Sequence, residues 1–256
     1  MVELKTPAEI ARMREAGRVV ARALAAARAV AAPGRTGSDL DRAAADVIAV
    51  SGAEPLFRGY HPSWAPTPFP GVVCLSVNDE IVHGVPTGRA LKDGDLVSVD
   101  CGARLDGWSS DAAISFVVGE TVDPADARLV ADAEAALARG IAVARPGARL
   151  GDVGHAVGAG ARRAGYGLTA DHGGHGIGRT MHEEPFVPNE GRPGRGMVLR
   201  PGLVLAIEPM LVRGGTDAYV HADDGWTVRT ADGSRAAHVE HTVAVTGEGP
   251  VVLTVP

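Results

Sequence analysis

The stretch from Val97 to Ser115, VSVDCGARLDGWSSDAAIS, constrains the fold more than any other part of the chain. It is apolar and β-branched on both sides of a polar centre that contains glycine, which predicts two strands joined by a tight connection. If the fold-back is centred between Leu105 and Asp106, Asp100 lies directly opposite Asp111, with Cβ atoms roughly 5 Å apart. Facing carboxylates destabilise such a ladder. A divalent cation would turn the repulsion into attraction, since hard carboxylate oxygens suit such ions.

The same stretch also has a purely structural explanation. Asp106-Gly107 is a favoured hairpin dipeptide. If the turn lies there, the register differs and the two aspartates of the strands need not face each other. The hairpin by itself therefore leaves a metal site and a simple turn open as alternatives.

Composition sets broad limits on the class of protein. The 256 residues are 45% hydrophobic, which predicts a soluble chain with an ample core in one large or two small domains. A net charge of -6 argues against non-specific nucleic-acid binding. Cys74 and Cys101 are too few for a disulfide framework and rule out a thiolate zinc site. The charged N-terminal segment has no apolar signal core, so we expect a cytoplasmic protein with no membrane association.

Helix and strand signals alternate in blocks along the chain. The Thr6-Pro7-Ala8-Glu9 capping box predicts a helix to about Ala32, and Ser38 is expected to cap a second helix that ends at Gly52. Two more helices are predicted from Asp123-Pro124 to about Ala144 and from about Leu150 to Ala164. Strands are expected at 71–77, 81–84, 199–210, 226–230 and 237–246. This order predicts an α+β fold with helices on one face of the sheet. The similar halves suggest a duplication, although no residue-level repeat supports it.

The segment from Pro55 to Pro70 combines five prolines with several rings, which is unusual for a flexible linker. It is expected to be an ordered loop. The sequence leaves open whether this loop only covers the edge of the core or forms the wall of a substrate pocket.

Acids and imidazoles recur in three later segments. His175 stands in the glycine-rich run HGGHGIG, which matches no phosphate-binding loop, and the following His182-Glu183-Glu184 is not an HExxH zinc motif. Glu208 ends a strongly apolar strand, and Glu240 lies inside an alternating one. Each acid alone is typical of a strand end at the surface. As a set, two Asp, two Glu and one His suit two divalent ions that share bridging carboxylates.

Six motifs, in order, resemble those of the type I methionine aminopeptidases. They are VNDEIVHG at 77–84, the Asp100/Asp111 pair eleven residues apart, GHGIG at 174–178, HEEP at 182–185, IEPM at 207–210 and EHT at 240–242. The resemblance implies the pita-bread fold, in which two pseudo-symmetric halves form a curved antiparallel sheet with helices on its outer face. It also implies one catalytic domain over residues 1–256 with no N-terminal extension. The short distance from His175 to Glu208 leaves no room for the type II insert.

The resemblance implies a dinuclear metal centre with five ligands. Asp111 and Glu240 are expected to bridge both ions, Asp100 to chelate one, and His175 and Glu208 to bind the other. A water or hydroxide between the ions would attack the first peptide bond. Co, Mn, Fe and Zn all accept this ligand set, so the sequence does not identify the metal.

The resemblance also assigns the substrate side. His83 and His182 are expected to hydrogen-bond the scissile peptide, and Glu208 to shuttle a proton to the leaving amine. An apolar cup for methionine matches Tyr60, Phe69, Cys74 and Trp226, with His61 at its edge. The chain departs from the family pattern at Phe57, at Met181 and in the longer segment 62–68. These departures leave the ligands untouched but bear on the shape of the cup.

The expected function is removal of the N-terminal methionine from nascent polypeptides, at the ribosome, when the second residue is small. We expect a monomer. An Xaa-Pro aminopeptidase of the same fold is the nearest alternative, but those enzymes carry a large N-terminal domain and lack the Val-Asn-Asp-Glu segment. A metal-free binding module of this fold is a second alternative. It is disfavoured because such members have lost ligands and this chain keeps all five. A paralogue with shifted specificity stays open.

Overall fold

The computed structural model describes residues 2–169 and 171–256. Its helices are α1 (Pro7–Val30), α2 (Gly37–Val50), α3 (Pro124–Val143) and α4 (Leu150–Arg163). Its strands are β1 (Glu54–Pro55), β2 (Val73–Val77), β3 (Glu80–Val82), β4 (Leu96–Leu105), β5 (Trp108–Val117), β6 (Gly167–Leu168), β7 (Gly174–Gly176), β8 (Glu183–Val187), β9 (Val204–Ile207), β10 (Met210–Val212), β11 (Tyr219–His221), β12 (Val228–Thr230), β13 (Ala236–His238), β14 (Glu240–Thr246) and β15 (Gly249–Val252). Within the described ranges, none of the helices combines the length and apolar character needed to span a bilayer.

Capping residues explain where the first two helices begin. The predicted capping box at Thr6 is confirmed, because its hydroxyl accepts from the Glu9 N–H and the Glu9 carboxylate accepts from the Thr6 N–H. The prediction that Ser38 caps α2 is wrong. Thr36 is the N-cap, and it exchanges the same two hydrogen bonds with Asp39. A reciprocal pair satisfies two otherwise free N–H groups, so the helix begins before Ser38.

The core of the molecule is one nine-stranded antiparallel sheet. Its main path runs β1-β4-β5-β14-β9-β7-β8, with β2 added to β4 and β15 added to β14. The pair α1 and α2 packs with β2, β4 and β5 in one apolar cluster, and the pair α3 and α4 packs with β9 and β14 in a second. Each half of the chain thus supplies a helix pair and part of a shared sheet. The predicted α+β fold with helices on the outer face is confirmed.

The central hairpin has a different register from the predicted one. Asp100 faces Ala113, and Asp111 faces Gly102, so the two aspartates are diagonal neighbours. The turn residues are Asp106 and Gly107, with φ of 49° and 75°. Positive φ at both positions is the type I′ turn that matches the twist of a hairpin, and this turn moves the fold-back by one residue. The prediction that the two aspartates face each other directly was therefore wrong. The alternative prediction, a turn at Asp106-Gly107, is confirmed.

This register leaves both aspartates on the inner face of the sheet, because the residue opposite Asp100 changes by two positions, from 111 to 113. Side chains alternate along a strand, and Val99, Cys101 and Ala112 pack in the apolar cluster beneath α1 and α2. Asp100 and Asp111 alternate with these residues and so point away from the helices. The hairpin therefore presents both carboxylates to the concave side of the sheet.

Candidate active site

Three adjacent strands bring three of the predicted ligands to one place. Ala113 of β5 pairs with Asp100 of β4 on one side and with Glu240 of β14 on the other. Asp111 lies two residues before Ala113 on the same face and opposite Gly102, where an added Cβ would lie 3.2 Å from the Asp111 Oδ1. A small residue opposite Asp111 thus leaves space for its carboxylate.

His175 reaches the same place from the other half of the sheet. It is the middle residue of β7, between Gly174 and Gly176, and a Cβ on either glycine would overlap the backbone carbonyl of a neighbouring strand or loop. The glycines therefore permit the close approach of these backbone segments. The His175 Nδ1 lies 2.8 Å from the Gly176 carbonyl oxygen. This bond favours a proton on Nδ1 and leaves the Nε2 lone pair free for a ligand.

Glu208 completes the set of five residues that the sequence predicts. It follows the buried strand β9, and its Oε1 lies 3.6 Å from the His175 Nε2. Ligand atoms of Asp111, His175 and Glu240 all lie within 4.8 Å of one another. Asp100 lines the same cavity as these three residues and Glu208. The structure therefore brings all five side chains together.

The four carboxyl groups share one poorly solvated volume, which raises their proton affinity. Burial, together with the charge of Glu208, raises the pKa of Asp111 to about 7. Burial raises the pKa of Glu208 to about 8. The pKa values of Asp100 and Glu240 lie well above their usual range, first because of burial and then because of neighbouring carboxylates. Crowded buried acids of this kind are typical of a site that binds cations.

Unpaired oxygen atoms in the carboxylate cluster indicate whether a metal ion would fit there. Among the described residues, the Asp100 Oδ1, the Asp111 Oδ1 and the Glu240 Oε1 are buried without a hydrogen-bond partner. Buried polar atoms are normally paired, because desolvation otherwise costs about 1–3 kcal/mol for each. Oxygen-rich donors with a single imidazole suit divalent ions between hard and borderline character. The donor set therefore fits a divalent metal.

A cavity of about 520 Å³ opens above these carboxylates. Beside them is an apolar cluster that includes Tyr60, Phe69, Cys74 and Trp226, the residues predicted to form a methionine cup. Cys74 is the cross-strand partner of Asp100, which places the cup next to the acids. The fifth residue predicted for the cup, His61, is exposed and is not part of the cavity lining; its Nε2 lies 3.1 Å from the Ala65 carbonyl oxygen.

The three departures from the family pattern also lie at this cavity. Phe57 and Met181 are buried members of the apolar cluster, and Phe57 packs edge-on against Phe69. The longer segment 62–68 carries Trp64, whose ring packs 5.0 Å from Trp226. Of the two explanations left open for this proline-rich loop, the pocket wall is the one that the structure supports.

Two histidines, His83 and His182, line the same cavity. His83 has a φ of 58° and a buried Nδ1 without a hydrogen-bond partner among the described residues. Burial lowers the pKa of His83 to about 3, so its ring is neutral near pH 7. The Nδ1 of His182 lies 3.2 Å from the Tyr60 hydroxyl, and its ring lies 4.4 Å from that of His175. Both rings can offer hydrogen bonds to a substrate backbone.

For His238 the sequence predicts no role. The residue is 2% exposed, and its Nε2 lies 3.4 Å from the Glu208 Oε2. The available signal was its spacing, because His238 stands two residues before Glu240, as inward-facing side chains do along a strand. The sequence could not show that the strand is interrupted at Val239 and that His238 nevertheless points to the same side as Glu240.

Comparison with known proteins gives a consistent assignment over the whole chain. The model of metallopeptidase family M24 matches residues 11–247. Methionine aminopeptidase 1 of Mycobacterium tuberculosis is 53% identical over 99% of this chain and 95% of its own length. Methionine aminopeptidase 1 of Bacillus subtilis is 41% identical over 99% of both chains.

Solved structures agree with these sequence matches. The methionine aminopeptidase of Thermotoga maritima superposes with a TM-score of 0.94 at 42% identity, with all of both chains covered. The prolidase of Pyrococcus furiosus has a TM-score of 0.78 at 23% identity, and 65% of its chain is covered. At that identity the prolidase shows the shared fold alone, and the pita-bread architecture expected from the sequence is confirmed.

Proposed function

The chain belongs to metallopeptidase family M24 and, within it, to the type I methionine aminopeptidases, and from that premise we propose that it removes the N-terminal methionine from nascent chains whose second residue is small. One observation carries the proposal. Four carboxyl groups and an imidazole meet beneath a cavity, directly beside an apolar cup. One part of the site could therefore bind metal ions, and the adjoining part could bind the thioether side chain of methionine.

Five residues would hold two divalent ions. These residues are Asp100, Asp111, His175, Glu208 and Glu240, and they would supply four carboxylates and one imidazole. When bound, the ions would lower the pKa of a water molecule and so supply the nucleophile for the first peptide bond. The unpaired oxygens of Asp100, Asp111 and Glu240 support this assignment.

The remaining polar residues would act on the peptide. The neutral rings of His83 and His182 would donate hydrogen bonds to the scissile carbonyl and to the charge that develops on it. The Tyr60 hydroxyl would hold the orientation of the His182 ring through its 3.2 Å contact with Nδ1. Glu208 would carry a proton to the leaving amine.

The cup and the rim would set specificity. Aromatic rings and the thiol of Cys74 form favourable surroundings for a thioether. Next to His83, the ring of Trp64 lies 6.4 Å away and the ring of His172 lies 6.3 Å away. These two neighbouring rings would limit the space beside the scissile bond, which favours a small second residue. Action on nascent chains would place the enzyme in the cytoplasm, at the ribosome, and we expect a monomer.

The test measures free methionine released by metal-stripped protein after addition of Mn(II), Co(II) or Fe(II). Met-Ala-Ser is compared with Met-Leu-Ser, Leu-Ala-Ser and an Xaa-Pro peptide. We expect turnover of Met-Ala-Ser alone, its loss in Asp111→Ala, and its retention in the control Asp46→Ala on the exposed side of α2. Hydrolysis of the Xaa-Pro peptide alone, or no turnover of any peptide despite bound metal, would contradict the proposal.

A further inference from the structure

His238 occupies a position that the structure holds rigidly. It ends β13, and its N–H is shared between the hydroxyls of Ser98 at 3.2 Å and Ser115 at 3.1 Å. Ser115 in turn donates to the His238 carbonyl oxygen at 2.7 Å, and the two serine hydroxyls lie 2.8 Å apart. This buried serine pair belongs to β4 and β5, the strands that carry Asp100 and Asp111. The backbone of His238 is therefore fixed relative to the acids.

The His238 ring points into the carboxylate cluster. Its Nε2 lies 3.4 Å from the Glu208 Oε2 and has no hydrogen-bond partner among the described residues. A ring nitrogen of His238 and carboxylate oxygens of Glu208 and Glu240 all lie within 4.8 Å of one another. A buried imidazole nitrogen without a partner, beside two predicted metal ligands, is a donor atom already in place for a cation.

We propose that His238 is a sixth protein ligand of the metal centre, binding through Nε2 beside Glu208 and Glu240. The inference rests on the metal centre of the proposed function and adds a ligand to it. With His175 the centre then has two imidazoles and four carboxylates. The second imidazole shifts the preference from Mn(II) toward Co(II), Fe(II) and Zn(II), because imidazole suits those ions better than it suits Mn(II).

A different role would arise if His238 donated a hydrogen bond from Nε2 to Glu208. His238 would then orient Glu208 without touching the metal. The two roles differ in what they change: a ligand alters the metal's spectrum and the relative affinities for Co(II) and Mn(II), whereas an orienting residue alters turnover and leaves the ligand field the same.

The first test compares metal-stripped wild type with His238→Gln, which keeps the size and polarity of the side chain. The control is His172→Gln, a change in another cavity imidazole that lies among His83 and Tyr219. Even residues that only orient ligands change metal affinity by about 10–100-fold. We expect calorimetry to show at least about tenfold weaker Co(II) binding in His238→Gln and a smaller change for Mn(II). The visible absorption of bound Co(II) should also change, with neither effect in the control.

A second measurement uses the unaltered protein and so does not depend on the folding of a variant. In the proton spectrum of the Co(II)-loaded wild type, we expect two hyperfine-shifted imidazole N–H signals, one each from His175 and His238. One such signal, or unchanged affinity and absorption in His238→Gln, would overturn the inference and leave the proposed function standing. Reduced turnover with an unchanged Co(II) spectrum would assign the orienting role instead. A wild type that binds no metal would overturn both proposals.

Discussion

At the scale of single residues, the site stores electrostatic repulsion that a cation would relieve. Asp100, Asp111, Glu208 and Glu240 hold their protons more tightly in the folded chain than in the unfolded one, because burial and like charge disfavour the ionised forms. When a folded-state pKa is raised, the contribution to stability is fully present below the unfolded pKa and is lost as pH rises through the folded value.

We therefore expect the metal-free protein to lose stability as pH rises from about 4 through 7 to 8, the interval between the ordinary and raised pKa values of Asp111 and Glu208. Thermal unfolding in chelator at pH 5.5 and pH 8.5 measures this, and each kcal/mol lost lowers Tm by about 2–4 °C in a chain of this size. Asp111→Asn should reduce the dependence, because it removes one charge. An equal change in stability between the two pH values in Asp111→Asn and in wild type would contradict this account.

At the same scale, a metal that binds only the folded state should restore the lost stability. Mass action predicts about 2.7 kcal/mol when the free ion is at a hundredfold excess over its Kd. Differential scanning calorimetry with increasing Mn(II) at pH 7.5 should show a rising Tm in wild type and a much smaller rise in Asp111→Ala. Equal rises in both would place the bound ion elsewhere.

At the scale of elements, close backbone contacts make some helical glycines costly to replace. Gly17 lies in the middle of α1, where an added Cβ would overlap the Leu253 carbonyl oxygen of the C-terminal segment. Gly160 is also helical, in α4, but a Cβ there would meet only the guanidinium end of Arg139, which can move away.

We expect Gly17→Ala to lower the free energy of unfolding by about 1–3 kcal/mol, because backbone atoms would have to shift. Gly160→Ala should be neutral or stabilising by up to about 1 kcal/mol, since alanine is the better helix former. Urea unfolding followed by circular dichroism compares the two. Equal effects of the two substitutions would show that the contact with Leu253 is unimportant.

The loop before β8 is held by a buried lysine from the other end of the chain. The Lys5 ammonium is 2% exposed and lies 2.5 Å from the Glu183 Oε2. The Glu183 Oε1 accepts from the N–H groups of Arg179 and Thr180, at 2.8 and 3.2 Å. Gly178 leaves the space that the ion pair occupies, because a Cβ there would lie 2.7 Å from the Glu183 Oε1. This arrangement fixes the loop that carries His182.

We expect Lys5→Met to leave metal affinity unchanged, raise KM for Met-Ala-Ser several-fold and speed hydrogen exchange at the Arg179 and Thr180 amides. Removing one partner of a buried ion pair is costly, so Lys5→Arg, which keeps the charge, should rescue part of the effect. The matched control is Arg18→Met, which breaks an exposed ion pair on α1. Unchanged exchange at both amides in Lys5→Met would contradict this role.

At the scale of the whole molecule, one ionic network ties the two halves together. Asp126 of α3 is 1% exposed and bonds to Arg213 at 2.9 Å and to Arg235 at 2.6 Å. Arg235 also donates to the Gly94 carbonyl oxygen, just before β4 in the first half of the chain. With the pairing of β5 to β14, this network makes the halves parts of one unit.

We expect one cooperative unfolding transition, with the same midpoint by tryptophan fluorescence and by far-ultraviolet circular dichroism. Asp126→Ala should lower the free energy of unfolding by about 2–3 kcal/mol, because bonds to two charged groups are lost, and should keep the single transition. Glu54→Ala, which breaks an exposed ion pair with Arg104 at 2.6 Å, is the control and should cost less than about 1 kcal/mol. Separate transitions for the two probes would show that the halves unfold independently.

The sequence by itself determined the features that depend on neighbouring residues. The Thr6 capping box, the bounds of α3 and α4 to within a residue or two, and the five side chains that meet at the carboxylate cluster could all be predicted from local spacing and motif. The start of α2 was missed by two residues, because Ser38 and Thr36 are both good caps and only Thr36 has its reciprocal acid at Asp39.

Only the tertiary structure decided which distant groups meet. The hairpin register depended on the φ values of Asp106 and Gly107, and these set the diagonal placement of the two aspartates. The contact of His238 with Glu208 and that of Lys5 with Glu183 join residues from different elements. Helix caps and hydrophobic periodicity depend on residues that are close in the sequence. Contacts between distant residues depend instead on the registers and packing of several strands at once. Local patterns therefore identified the predicted ligands, and the folded sheet determined which further residues stand beside them.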